Sequence, residues 1–206
     1  ADGILDHFHL DRLMELNLKG KTVLVTGGAS GIGEAVVRTL AIEGAFPVIL
    51  DRKPQEACEP LLRELEILHV EGAYLRVDLT DEGQVADAIR TVLLRFETID
   101  GLVNNAGVND GVSLGASPAD FRASLERNLV QCFTVTHFTA PYLKESAPSA
   151  IVNIGSKVAF TGQGGTSGYA AAKGGLAALT REWALDLAVA GVRVNAVIPA
   201  EVWTPM

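Results

Sequence analysis

Six short apolar runs rich in Val, Ile and Leu, at 21–26, 46–51, 73–77, 99–104, 150–155 and 192–198, alternate with longer stretches, and this constrains the fold more than any other feature of the chain. Val23-Leu24-Val25 and Val48-Ile49-Leu50 are continuous, whereas a half-exposed strand would switch between apolar and polar residues. Continuous Val/Ile/Leu runs belong to parallel strands covered on both faces. The stretches 31–44, 81–97, 118–145 and 168–190 are long enough to cross over between such strands as helices. The predicted architecture is an α/β, doubly wound parallel sheet with helices on both faces. Pro47 is expected at the first residue of its strand, where a missing N–H is tolerated. Residues 1–18 are expected to form an N-terminal arm and 19–206 a single domain. No repeat or linker divides the chain.

Composition narrows the function. At 48% hydrophobic and 20% charged residues, the chain can bury enough apolar surface to fold as one globular unit. A net charge of −8 offers no footprint for nucleic acid or an anionic membrane, and no apolar run reaches the roughly 18 residues of a membrane span. The two cysteines, Cys58 and Cys132, form no paired motif and read as free thiols in a reducing cytosol. His7 and His9 have no cysteine partner, so no metal site is expected.

The first run leads into Thr26-Gly27-Gly28-Ala29-Ser30-Gly31-Ile32-Gly33, which opens the first helix. Glycine at such a turn permits positive φ and close backbone approach, and a helix N-terminus presents free N–H groups to a pyrophosphate. Gly27, Ser30, Gly31, Ile32 and Gly33 are therefore candidate dinucleotide contacts. Asp51, 18 residues after Gly33, ends the second run; a carboxylate there binds ribose hydroxyls and repels a 2′-phosphate, favouring NAD. Arg52 beside it keeps NADP open. Asp78, followed by Leu79, ends the third run and suits either the adenine amino group or a turn and N-cap role. Asn105, Ala106 and Gly107 end the fourth run and can pack beside a cofactor while fixing a turn.

Tyr169 and Lys173 stand four residues apart on a predicted helix, so both side chains share one face. Bringing a phenol from a pKa of about 10 to about 7 takes about 4 kcal/mol. A nearby ammonium is expected to lower it, with the positive ring of an oxidised nicotinamide as second contributor. Ser156, 13 residues before Tyr169, has a hydroxyl suited to hold a substrate oxygen.

These motifs resemble the short-chain dehydrogenase/reductase family, of single-domain Rossmann type, over residues 18 to 206. Its glycine motif matches Gly27, Gly31 and Gly33, its Asn-Asn-Ala-Gly motif residues 104 to 107, and its catalytic tetrad Asn128, Ser156, Tyr169 and Lys173. The resemblance implies that 19–206 is a dinucleotide-binding catalytic domain and that Asn128 kinks its helix and holds a water linking Lys173 to solvent. It also implies a homotetramer built on 118–145 and 168–190, with a cytoplasmic location expected from the cysteines. Pro199-Ala200 stands where the family often has Pro-Gly, while Val202 and Thr204 match positions expected to contact the nicotinamide carboxamide. The family usually continues further, with a seventh strand; this C-terminal strand is absent from 19–206, so a longer chain is expected.

The loops 108–117, 157–168 and 200–206 supply polar residues suited to a substrate with several hydroxyls, with Asn109, Gln163, Glu201 and Trp203 as candidate contacts. Gly107-Val108-Asn109-Asp110, Ser124-Leu125-Glu126-Arg127-Asn128-Leu129, the segment 161–169 and Ile198-Pro199-Ala200-Glu201-Val202 resemble bacterial L-fucose dehydrogenases within the family. That resemblance implies oxidation of an aldose at C1 to a lactone, Tyr169 taking the anomeric proton. The alternatives are a 3-oxoacyl carrier-protein reductase, disfavoured by Asp51 and the net acidity, and a non-catalytic dinucleotide sensor.

Overall fold

The computed structural model describes residues 16–203. Most of the expected arm, with His7 and His9, and Thr204 at the other end lie outside the described residues. Six strands form one parallel sheet: β1 (Thr22–Thr26), β2 (Phe46–Asp51), β3 (Ala73–Arg76), β4 (Gly101–Asn104), β5 (Ser149–Ile154) and β6 (Val192–Val197). Their order is β3-β2-β1-β4-β5-β6, so the sheet reverses direction between β1 and β4, where open α/β sheets gather ligands. The helices are α1 (Gly31–Ile42), α2 (Glu59–Ile67), α3 (Glu82–Phe96), α4 (Pro118–Leu125), α5 (Gln131–Glu145) and α6 (Ser167–Ala188).

Two cores account for the unbroken runs. Leu24, Val48 and Leu50 pack with residues of α3, α5 and α6, including Val85, Ile89, Val135, Leu176 and Trp183. Their alternate neighbours Val23, Val25 and Ile49 pack with Val37 and Leu40 of α1 and Leu61 and Leu65 of α2. Beneath the reversal point the Asn104 amide donates to Thr136 (3.0 Å) and Asn153 (2.9 Å), and Asn153 donates to Thr180 (2.9 Å), tying β4 and β5 to α5 and α6.

Three local readings change. Pro47 is the second residue of β2, not the first; Phe46 N–H bonds toward β1, so the position of Pro47 faces β3, whose pairing begins only at Val48. The crossover between β2 and β3 contains α2, which the apolar pattern does not announce. Its amphipathic Leu61 and Leu65 seat it, and Arg38 of α1 clamps Glu64 at 2.6 Å and its own Glu34 at 2.7 Å. The stretch 118–145 is not one helix: a π turn over Glu126–Val130 divides α4 from α5. Cys58 and Cys132 are free and buried, and burial pushes both thiols up to about 11. Among the described residues no helix is long and apolar enough to cross a membrane, and no cluster of His, Cys, Asp and Glu is arranged to hold a metal.

Candidate active site

A cleft of about 1040 Å³ opens at the C-terminal ends of the strands. Thr26, the last residue of β1, stitches its floor: its hydroxyl accepts the backbone N–H groups of Asn105 and Ala106, both at 3.0 Å. The Asn105 side chain returns the link, donating to the carbonyls of Thr26 and Gly27 at 3.0 Å each. Gly27 has φ of +63°, and a Cβ on it would lie 2.9 Å from the Ala106 backbone. A Cβ on Gly33 would lie 2.2 Å from the Gly27 carbonyl oxygen. Gly31 and Gly33 are not in the cleft lining; they shape the loop and seat α1 against it, while Gly27, Ser30 and Ile32 line the cleft. Ser30 stands at the N-cap of α1 in extended conformation and makes no capping bond with its side chain, leaving its hydroxyl and the helix N-terminus to serve an anion.

At one end of the cleft the Asp51 carboxylate, 7% exposed, accepts Ala29 N–H (3.1 Å) and Lys53 N–H (3.0 Å). A carboxylate offers about four lone-pair sites, so it keeps capacity for hydroxyl donors. The Tyr74 hydroxyl bonds the carbonyl of Lys53, bracing the same turn, and burial pushes its phenol up to about 12. Arg52 and Lys53 line this end too. Asp78 lines the cleft while its carboxylate holds a turn, accepting Thr80 N–H (3.0 Å) and hydroxyl (2.7 Å), and that hydroxyl foremost keeps it below the usual carboxylate range. The N-cap of α3 is Asp81, not Asp78. Leu79, Asn105, Ala106, Gly107, Pro199 and Val202 are also in the lining.

Ser156, Tyr169 and Lys173 meet at the other end. Lys173, 3% exposed, donates to the Ile154 carbonyl at 2.7 Å, and its ammonium lies 5.6 Å from the centre of the Tyr169 ring. Burial pulls the Lys173 pKa down. For Tyr169 the direction differs from the expectation: burial raises the phenol above its ordinary value, outweighing hydrogen bonding with Ser156, which works the other way. Desolvating the phenolate costs more than these neighbours return.

Asn128 lies within the π turn, fully buried and outside the cleft lining. Its amide oxygen accepts Val108 N–H at 2.7 Å and its amide nitrogen donates to the Ser124 carbonyl at 3.0 Å. Gly107 passes between it and Lys173: a Cβ there would meet Asn128 Oδ1 at 3.1 Å and Lys173 Nζ at 3.5 Å.

The four candidate substrate residues are not brought to the cleft wall. Glu201 is exposed and pairs with Lys157 at 2.7 Å, Asn109 turns back to accept Gly111 N–H at 3.4 Å, and Gln163 and Trp203 face solvent. Loop polarity alone does not distinguish a group aimed at a ligand from one satisfying its own backbone. Sequence reasoning misses Ala123, Glu126, Arg127 and Gln131, which do line the wall. They stand in and beside the π turn, which no hydrophobic period signals.

A glycine-lined cradle, an anchored carboxylate at one end and a Ser/Tyr/Lys cluster at the other define a nicotinamide-dependent oxidoreductase of Rossmann type. The profile of the short chain dehydrogenase family matches residues 21–206, and the chain belongs to that family. It is 37% identical over 192 residues to the 3-oxoacyl-[acyl-carrier-protein] reductase FabG of Thermotoga maritima, covering 93% of this chain and 78% of that protein. It is equally 37% identical to the L-fucose dehydrogenase of Rattus norvegicus, covering 91% and 68%. Among solved structures, the Cj0485 dehydrogenase superposes with a TM-score of 0.88 at 41% identity over 93% of this chain and 73% of that one. The NADH-dependent reductase A1-R' complexed with NAD gives 0.86 at 32% identity over 92% and 82%.

Proposed function

We propose that the chain oxidises an aldose such as L-fucose at C1 to a lactone, with NAD preferred to NADP. The observation that carries the reading is the meeting of Ser156, Tyr169 and Lys173 in the same cleft as the anchored carboxylate of Asp51. The oxidised nicotinamide, when bound, accepts the hydride and contributes positive charge beside the phenol. Ser156 holds the substrate oxygen. Tyr169 takes its proton, and Lys173, fixed on the Ile154 carbonyl, favours the phenolate. Asn128 holds the π turn and the backbone between itself and Lys173, consistent with a water relay toward solvent. With a dinucleotide bound, Gly27, Ser30, Ile32 and the N-terminus of α1 would hold its pyrophosphate, Asp51 its adenosine ribose, and Pro199 and Val202 its nicotinamide.

For the sugar, support comes from Glu126 on the cleft wall and from the likeness to L-fucose dehydrogenases. The equal identity to a 3-oxoacyl carrier-protein reductase keeps that activity as the second reading. A panel of aldoses, secondary alcohols and acyl thioesters, assayed with both cofactors by absorbance of the reduced nicotinamide, separates them; turnover of a 3-oxoacyl thioester and of no sugar refutes the aldose reading. Asp51→Ala is expected to weaken NAD binding and to relax its advantage over NADP in kcat/KM about tenfold, since charged hydrogen bonds contribute about 1.5–3 kcal/mol. An unchanged ratio removes Asp51 from that role. The reading includes a cytoplasmic homotetramer joined through α4–α6, supported by Val130 and Phe133, which stand exposed on that side.

A further inference from the structure

Four residues of α4, the π turn and α5 grip alternate positions of the loop after β4. Gln131 donates to the Ala106 carbonyl at 3.0 Å, Asn128 accepts Val108 N–H at 2.7 Å, and Arg127 (2.6 Å) and Ser124 (3.0 Å) donate to the two carboxylate oxygens of Asp110. On a regular α-helix neighbours point about 100° apart, so Arg127 and Asn128 would not both face one strand of chain. Here both reach it from the π turn that joins α4 to α5.

The far end of this ladder touches the start of α6. Ser124 is fully buried, and a Cβ on Gly168 would lie 2.5 Å from its hydroxyl oxygen, so the two pack with no space between. Gly168 N–H donates to the Val112 carbonyl, two residues beyond Asp110, at 3.0 Å. Gly168 is the residue before Tyr169.

We propose that Asp110, which lies in the predicted substrate loop 108–117, is instead a positioning residue for Tyr169: by clasping Ser124 and Arg127 it fixes both surfaces on which the first turn of α6 rests. It acts through Ser124 and Val112 on Gly168 and does not touch the reacting atoms. Burial alone would favour the neutral acid, but the bonds from Arg127 and Ser124 together hold Asp110 below the usual carboxylate range, so the clasp is charged at neutral pH.

The inference rests on Tyr169 as the proton acceptor, yet one arm of its test needs no substrate. In the full chain with NAD+, Asp110→Asn and, separately, Ser124→Ala are compared with the parent. Hydrogen exchange over residues 161–172 is expected to be about tenfold faster in both variants, the Gly168 amide leading, because local opening sets that rate. With L-fucose and NAD+, kcat is expected to fall about 10- to 100-fold, the scale of a misplaced reacting group, while both KM values stay within about twofold. Unchanged exchange at Gly168 overturns the inference, as does faster exchange with an undiminished kcat. If Asp110→Asn does not fold, Ser124→Ala decides. No turnover of L-fucose by the parent counts against the aldose reading alone, and hydrogen exchange at Gly168 then decides for or against the clasp by itself.

Discussion

Replacing Tyr169 with Phe is expected to leave NAD+ binding within about twofold and to cut turnover by about 10³-fold, within the range that a positioned acid or base contributes. The substitution removes one hydroxyl and keeps the ring over which the Lys173 ammonium lies at 5.6 Å. The proton of the substrate then has no acceptor at that position, because Ser156 has no base of its own and Lys173 is engaged with the Ile154 carbonyl. The parent pH profile should show the same group. Burial raises the phenol, a raised pKa shrinks the phenolate fraction at neutrality, and oxidation therefore climbs with pH until the phenol has ionised. Tyr169→Phe should lose that alkaline limb. Turnover surviving in the variant would return the chain to the dinucleotide-sensor reading.

The second large effect is expected at Gly33. Gly33→Ala puts a methyl group 2.2 Å from the Gly27 carbonyl oxygen and 2.5 Å from the Asn105 amide nitrogen. Neither can swing aside: Gly27 is backbone, and Asn105 is bonded to both Thr26 and Gly27. The loop must shift as a unit, at about 1–3 kcal/mol or more, and with it the surface on which a pyrophosphate rests. Affinity for NAD+, measured by calorimetry, should fall about 100-fold, with a lower midpoint in urea unfolding. Gly83→Ala is the control: on α3 its methyl would meet only the Asp81 side chain, at 3.3 Å, and affinity should not change. Unaltered binding in Gly33→Ala would mean that the cradle is not where the cofactor sits.

The central strands were legible because burial on both faces removes polar residues from them, as Val23-Leu24-Val25 and Val48-Ile49-Leu50 illustrate. Gly27, Gly33, Tyr169 and Lys173 were legible because the chemistry ties them to fixed spacings. Two kinds of residue were not. Arg127 and Gln131 reach the wall through a π turn, which looks like ordinary helix when read at 3.6 residues per turn. Glu201 and Asn109 have the right polarity, but Lys157 and the Gly111 N–H claim them, and that competition is set in three dimensions. The direction of the Tyr169 shift was hidden for a related reason: spacing shows the nearby cation, while desolvation depends on what covers the ring.

The reversal of strand order between β1 and β4 joins ligand occupancy to the integrity of the whole sheet. The cleft draws on residues from Gly27 to Val202, delivered by the ends of several strands and by the helices between them, so no short contiguous segment encloses it. Whatever fills it can bind only the intact molecule and must, by mass action, raise the melting temperature of the entire domain. A thermal-shift screen therefore reports on this cleft even for compounds that are never turned over.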